Sequence, residues 1–164
     1  MSLTDNNSTM QLDTIDIRIL KILQTKSSLT TKELAARVNL SPTPVFERVK
    51  KLERHGYIKN YVAVLDAEKL NKELMVFCNI TLKEHTRDIG NQFVKDILAL
   101  PEVVECYNIS GDYDFFLKIL VHNMKDYQNF VLDRLGSIQN IGSAHSTFVM
   151  GEIKNSYAIP IDEY

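Results

Sequence analysis

The sequence predicts an α+β protein of two unlike parts, three helices followed by a two-layer sheet domain. Three observations lead there. Apolar residues recur at helical spacing up to residue 56, whereas beyond residue 73 they alternate as in strands, interrupted by two helical stretches. The charge divides at the same place: residues 1–60 carry ten Lys/Arg against six Asp/Glu, and residues 61–164 carry nine against fifteen. A net charge of -2 therefore hides a basic third and an acidic remainder. Finally, 164 residues suffice for two small domains.

The elements follow in order. Residues 1–11 are polar and read as a flexible arm. Leu12, Ile15, Ile19, Ile22 and Leu23 share a helical face, with Asp13 as cap and Asp16 in the first turn. A second helix opens on the capping box Thr30-Thr31-Lys32-Glu33 and buries Leu34, Ala35 and Val38. Asn39 suits the left-handed position after it. The third opens at Ser41-Pro42-Thr43-Pro44, with Ser41 or Thr43 as cap, and stops at Gly56. Residues 57–65 are rich in β-formers and read as a linker strand. The expected domains are residues 12–57, a linker and hinge over 58–72, and residues 73–164.

The last part reads β-α-β-β-α-β. Leu74, Val76, Cys78, Ile80 and Leu82 alternate on one face; a helix spans about 86–99 with Ile89, Phe93 and Ile97 in register. A strand spans about 103–110, and Gly111-Asp112 turns tightly into a third, where Tyr113, Phe115, Leu117, Ile119 and Val121 share a face. Asn123 caps a helix burying Tyr127, Phe130, Val131 and Leu135, and the last strand covers about 143–153. This order is the ferredoxin-like arrangement, with both helices on one face of an antiparallel sheet. Met75, Phe77, Cys106 and Phe116 then point to the other face, where a partner subunit is the natural cover.

Two short helices, a turn and a basic helix form the helix-turn-helix order. On the third helix Val45, Val49 and Leu52 occupy one arc. Thr43, Glu47, Lys50, Lys51 and Arg54 lie opposite, with Arg48 on a flank. Cations there neutralise phosphates, and Thr, Glu and Arg near the N-terminus reach base edges. The same pattern fits a helix whose charges merely face water.

Other classes find little support. No apolar run reaches membrane-spanning length, and the polar start lacks a secretory signal, so a cytoplasmic protein is expected. Cys78 and Cys106 read as buried reduced thiols. His55, His85, His122 and His145 are scattered and form no catalytic or metal-binding motif, so no enzyme, cofactor or metal is expected.

The stretch Ser41-Pro42-Thr43-Pro44-Val45-Phe46-Glu47-Arg48-Val49-Lys50-Lys51-Leu52-Glu53-Arg54-His55-Gly56-Tyr57-Ile58 closely resembles the recognition-helix signature of the Lrp/AsnC family. Leu12-Asp13-x-x-Asp16-x-x-Ile19-Leu20-x-x-Leu23-Gln24 is similar to the family's first helix, and Gly111-Asp112-Tyr113-Asp114 to its G-D-[YF]-D turn. The resemblance covers residues 12 to about 154. It implies a winged-helix-like reader of double-stranded DNA, a linker strand that pairs across a dimer, and a ferredoxin-like effector domain known as RAM. It implies a transcription regulator that responds to an amino acid and assembles as a homodimer, tetramer or octamer. DNA contacts are expected from Ser41, Thr43, Pro44, Glu47, Arg48, Lys50, Lys51 and Arg54. The effector is expected at Asn108, Ile109, Ser110, Gly111, Asp112 and Asp114, with Thr147, Phe148 and Val149 near the same pocket. Without the resemblance, the Gly-Asp pair is first a hairpin turn. Two rivals share the architecture: a sirohaem-decarboxylase-like enzyme using His122 and His145, and an amino-acid sensor that never binds DNA.

Overall fold

The computed structural model describes residues 10–162; the arm expected over 1–11 lies outside them except for Met10 and Gln11. The chain forms two compact units. One holds the described residues up to Ala63 together with those from Lys154 onward; the other is Val64–Ile153. The sheet domain therefore ends earlier than residue 164. The C-terminal tail groups with the helical unit, a placement that neither composition nor periodicity announces.

In the helical unit, α1 (Thr14–Leu23), α2 (Thr31–Val38) and α3 (Pro42–Arg54) pack around Ile19, Leu34, Ala35, Val45 and Leu52, all nearly or fully buried. Local chemistry sets each end. The α1 cap is reciprocal: the Asp13 carboxylate accepts from the Ile15 and Asp16 N–H groups, and the Asp16 carboxylate accepts from the Asp13 N–H. Thr30 and Glu33 do the same for α2, which ends on Asn39 at φ 57°. Ser41 is the N-cap of α3 by backbone conformation, with Pro42 at the first helical position, and the chain leaves through Gly56 at φ 75°. Residues 59–65 form no strand and are exposed. A strand requires a neighbour, and this segment has none among the described residues.

The second unit begins with a 3-10 turn (Glu68–Leu70), then β1 (Leu74–Leu82), α4 (Arg87–Leu98), β2 (Val103–Asn108), β3 (Phe115–Val121), α5 (Met124–Asn129) and β4 (Ile141–Phe148). α5 runs on as a π-helical turn, Phe130–Arg134, and a 3-10 turn, Leu135–Ser137. The sheet is antiparallel in the order β2-β3-β1-β4, so the expected ferredoxin-like topology is present. Its inner face contributes Val76, Cys78, Ile80, Leu117 and Ile119, on which Phe93 and Ile97 of α4 and Tyr127, Phe130 and Leu135 of the second helical segment pack. All ten are at most 4% exposed. Truncating one of the buried aliphatics costs about 2–5 kcal/mol. On the outer face the Phe77 and Phe116 rings lie 5.1 Å apart with their planes tilted by 33°, half-covered.

Three boundaries differ from expectation. β4 stops at Phe148 rather than near 153: the Val149 N–H still donates to Met75 O at 3.1 Å, and from Met150 the chain leaves the sheet, with Met150 and Ile153 almost fully exposed. β3 begins at Phe115, so Tyr113 stands outside it. Asn108 opposes Phe115, which makes the connection between β2 and β3 a six-residue loop instead of a two-residue turn.

Candidate DNA-reading and effector sites

The third helix separates support from display. Val45 and Leu52 are fully buried, whereas Ser41, Thr43, Pro44, Glu47, Lys50, Lys51 and Arg54 are all exposed. The Ser41 hydroxyl makes no capping bond. Lys50 is the most engaged of these cations: it pairs with Glu53 at 2.8 Å and lies 5.7 Å from the Phe46 ring centre.

Arg48 belongs to the supporting set. Its Nη1 donates to Asp13 at 2.6 Å and to Asp16 at 2.7 Å. Asp16 is 3% exposed, the one buried charged residue among those described. Hydrogen bonds to Asp16 and then Asp13 raise the Arg48 pKa. Burial works against the Asp13 charge, but the Asp16 N–H and the guanidinium outweigh it and hold that carboxyl below the usual range. The two carboxylates that cap α1 thus clamp α3. The sequence already held the signal: at 100° per residue Arg48 lies about 60° from Val45 and 40° from Leu52, on the edge of the core arc.

In the sheet unit, Ile109 to Asp114 forms a loop closed by its own backbone. The Ile109 N–H and the Asn108 amide both donate to the Asp114 carbonyl at 2.9 Å. The Asp114 N–H donates to Ile80 O at 2.9 Å, and one carboxylate oxygen accepts the Leu82 N–H at 2.7 Å. The other carboxylate oxygen faces His85 Nε2 at 3.2 Å. Asp114 is therefore a clamp joining the loop to the end of β1. Ser110, Gly111 and Asp112 are exposed at the tip, with Gly111 at φ 122°, a conformation that favours glycine.

The structure does not bring Thr147, Phe148 and Val149 to this loop within one chain. Phe148 opposes Val76, four residues from Ile80, where the loop is anchored. That is about 13 Å along the strand. Beside the loop stand His85 and His145, whose ring lies 5.5 Å from that of Tyr113. Scattered singly through the sequence, these histidines form no pattern there; the fold brings both beside the loop.

His122 and His145 do not meet. His122 follows Val121, which opposes Leu74, whereas His145 opposes Asn79. His122 Nδ1 bonds Asn71 O at 2.6 Å and Nε2 faces Lys72 Nζ at 3.2 Å. His122 is level with position 73, so the two lie about 20 Å apart along β1, and they line no common site within one chain. A cleft of about 300 Å³ lies near His122 and the π-helical turn, and two of its charges, Arg134 and Glu102, pair at 2.5 Å. Among the described residues no group of His, Cys, Asp and Glu could hold a metal, and no helix is long and apolar enough to cross a membrane. Burial pushes the Cys78 thiol up, in keeping with an unreactive core position.

Comparison with known proteins matches residues 12–59 to a winged helix-turn-helix DNA-binding model and residues 75–159 to the Lrp/AsnC ligand-binding domain. The chain is 39% identical over 150 residues to the leucine-responsive regulatory protein of Escherichia coli, covering 92% of each. It is also similar to a Neisseria meningitidis transcriptional regulator solved with L-methionine: TM-score 0.88, 36% identity, 92% of this chain and 97% of that one. An AsnC family regulator from Agrobacterium tumefaciens superposes with TM-score 0.86 at 36% identity, covering 91% and 97%.

Proposed function

The chain belongs to the Lrp/AsnC family of DNA-binding transcription regulators, and from that premise we propose which of its residues read DNA and which sense the effector. The reading surface is Ser41, Thr43, Pro44, Glu47, Lys50, Lys51 and Arg54. One observation carries this: all seven are exposed on α3 while the opposite arc is buried. Lys51 and Arg54 neutralise phosphates, and Thr43 and Glu47, near the helix N-terminus, reach base edges in the major groove. Arg48 acts indirectly, by fixing α3 on α1.

The effector is a free α-amino acid at the loop tip. A zwitterion requires an anion and hydrogen-bond donors. Asp112 supplies the anion, since Asp114 is engaged in the clamp. The L-methionine held by the Neisseria regulator and the leucine response of the named relatives support the ligand class. Thr147, Phe148 and Val149 reach such a pocket only from another subunit. The active form is a homodimer or a higher assembly. Its interface covers Phe77 and Phe116, and the linker at Tyr61 to Leu65 pairs with its partner copy; Val62, Val64 and Leu65 are each more than 60% exposed. The chain acts in the cytoplasm and carries no catalytic step.

A thermal-shift screen of the twenty amino acids, followed by DNA titration with and without each hit, tests the reading. At least one amino acid is expected to raise the melting temperature and change DNA affinity. Stabilisation by none of the twenty overturns the effector assignment.

A further inference from the structure

After β4 the chain does not end at the sheet. The residues from Lys154 onward join the helical unit, where the side chain of Gln24 makes a reciprocal pair with the backbone of Ile159. Gln24 Nε2 donates to Ile159 O and the Ile159 N–H donates to Gln24 Oε1, both at 3.1 Å. Gln24 is the C-cap residue of α1, the helix whose Asp13 and Asp16 hold the recognition helix. The chain thus passes between the two units twice, at the linker before β1 and at the segment after β4.

We propose that Gln24 is a positioning residue for the effector response, fastening the tail so that a change at the sheet reaches α1 and through it α3. The attachment is releasable. Tyr157 and Ile159 are 63% and 68% exposed, and only Ala158 and Ile161 of the segment are half-covered, so little apolar burial backs up the two hydrogen bonds. A weakly held segment is the kind that switching draws on. An effector couples to DNA only by favouring one arrangement of the reader, and a strap present in one arrangement and loose in the other provides that difference. This inference rests on the amino-acid reading above.

The experiment uses the full chain, a duplex selected in vitro for binding, and the twenty L-amino acids as probes. Calorimetry on the wild type first identifies the binder; if none of the twenty binds, the underlying reading fails and the proposal falls with it. Gln24→Ala is expected to keep the amino-acid affinity and the effector-free DNA affinity within about twofold. The change in DNA affinity caused by the amino acid should shrink about fivefold or more, within the usual range of allosteric couplings. Gln24→Glu, which keeps the acceptor but not the donor, should respond at an intermediate level. Removing residues 154–164 should reproduce Gln24→Ala. An undiminished response in both Gln24→Ala and the truncated chain overturns the proposal. Loss of effector-free DNA binding in Gln24→Ala overturns it too, because the tail then merely supports the reader.

Discussion

The third helix and the loop from Ile109 to Asp114 solve the same problem differently, and the contrast shows which side chains each leaves free. In α3, holding and reading fall to different residues. Arg48 grips Asp13 and Asp16, the buried arc of Val45 and Leu52 packs on α1 and α2, and seven side chains stay exposed, the ones proposed above to read the duplex. In the loop, a single residue holds everything together. Asp114 ties Ile109, Asn108, Ile80, Leu82 and His85 through its backbone and both carboxylate oxygens. A regular helix sorts its side chains by angle, so roles separate. A loop has no such sorting, and the residue with the most suggestive chemistry for a ligand is the one consumed in holding the shape.

The sharpest way to break this contrast is at the two clamps. Arg48→Ala strands Asp16 as a buried carboxylate without its cation. Since Asp16 is 3% exposed, the reader should lose about 2–4 kcal/mol in urea denaturation. Arg48→Lys should recover only part, because one ammonium cannot match the planar fork. Asp114→Ala leaves the Leu82 N–H without its acceptor and should cost the sheet unit about 1–3 kcal/mol. Near-wild-type stability in either variant would dissolve the distinction between clamp and reader.

The display side sharpens the contrast from the other direction. Lys51→Ala and Arg54→Ala should each leave stability within about 0.5 kcal/mol. Each should weaken DNA binding and flatten the slope of log K against log salt by about one unit. Asp112→Ala should lower amino-acid affinity without changing the melting temperature of the effector-free protein; an effect confined to stability would return the loop tip to a bare turn. The smallest effect is on pH. The Asp13 carboxyl is lowered in the folded state, so it contributes stability above the ordinary carboxyl value of about 3.9. That contribution is lost as pH falls through the depressed folded value. In Arg48→Ala the acid loss should be shallower.

Most of the fold was readable because it rests on periodicity. Val45, Val49 and Leu52 mark a helical stripe, and Leu74 to Leu82 alternates as a strand half-buried on one side. The caps at Asp13, Thr30 and Asn123 were equally legible, since each is a local bond between residues two or three apart. What escaped depends on distant pairs. The Arg48 grip joins residues 32 and 35 apart, and the Gln24–Ile159 pair joins residues 135 apart. Within one chain Thr147 to Val149 stand apart from the loop, because a residue's position along β4 follows from its partner in β1 and not from its neighbours in sequence. The linker over 57–65 has strand composition yet no strand, because pairing is a property of two segments.

The division of labour on α3 is tested most directly by measuring DNA affinity against salt for the wild type, Lys51→Ala and Arg48→Ala, at a temperature where all three are folded. Lys51→Ala should lower the salt slope by about one unit with an unchanged melting temperature. Arg48→Ala should keep the wild-type slope with a clearly lowered melting temperature. If instead Arg48→Ala loses the unit of slope and Lys51→Ala does not, Arg48 is a phosphate contact and the assignment of holding and reading residues is reversed.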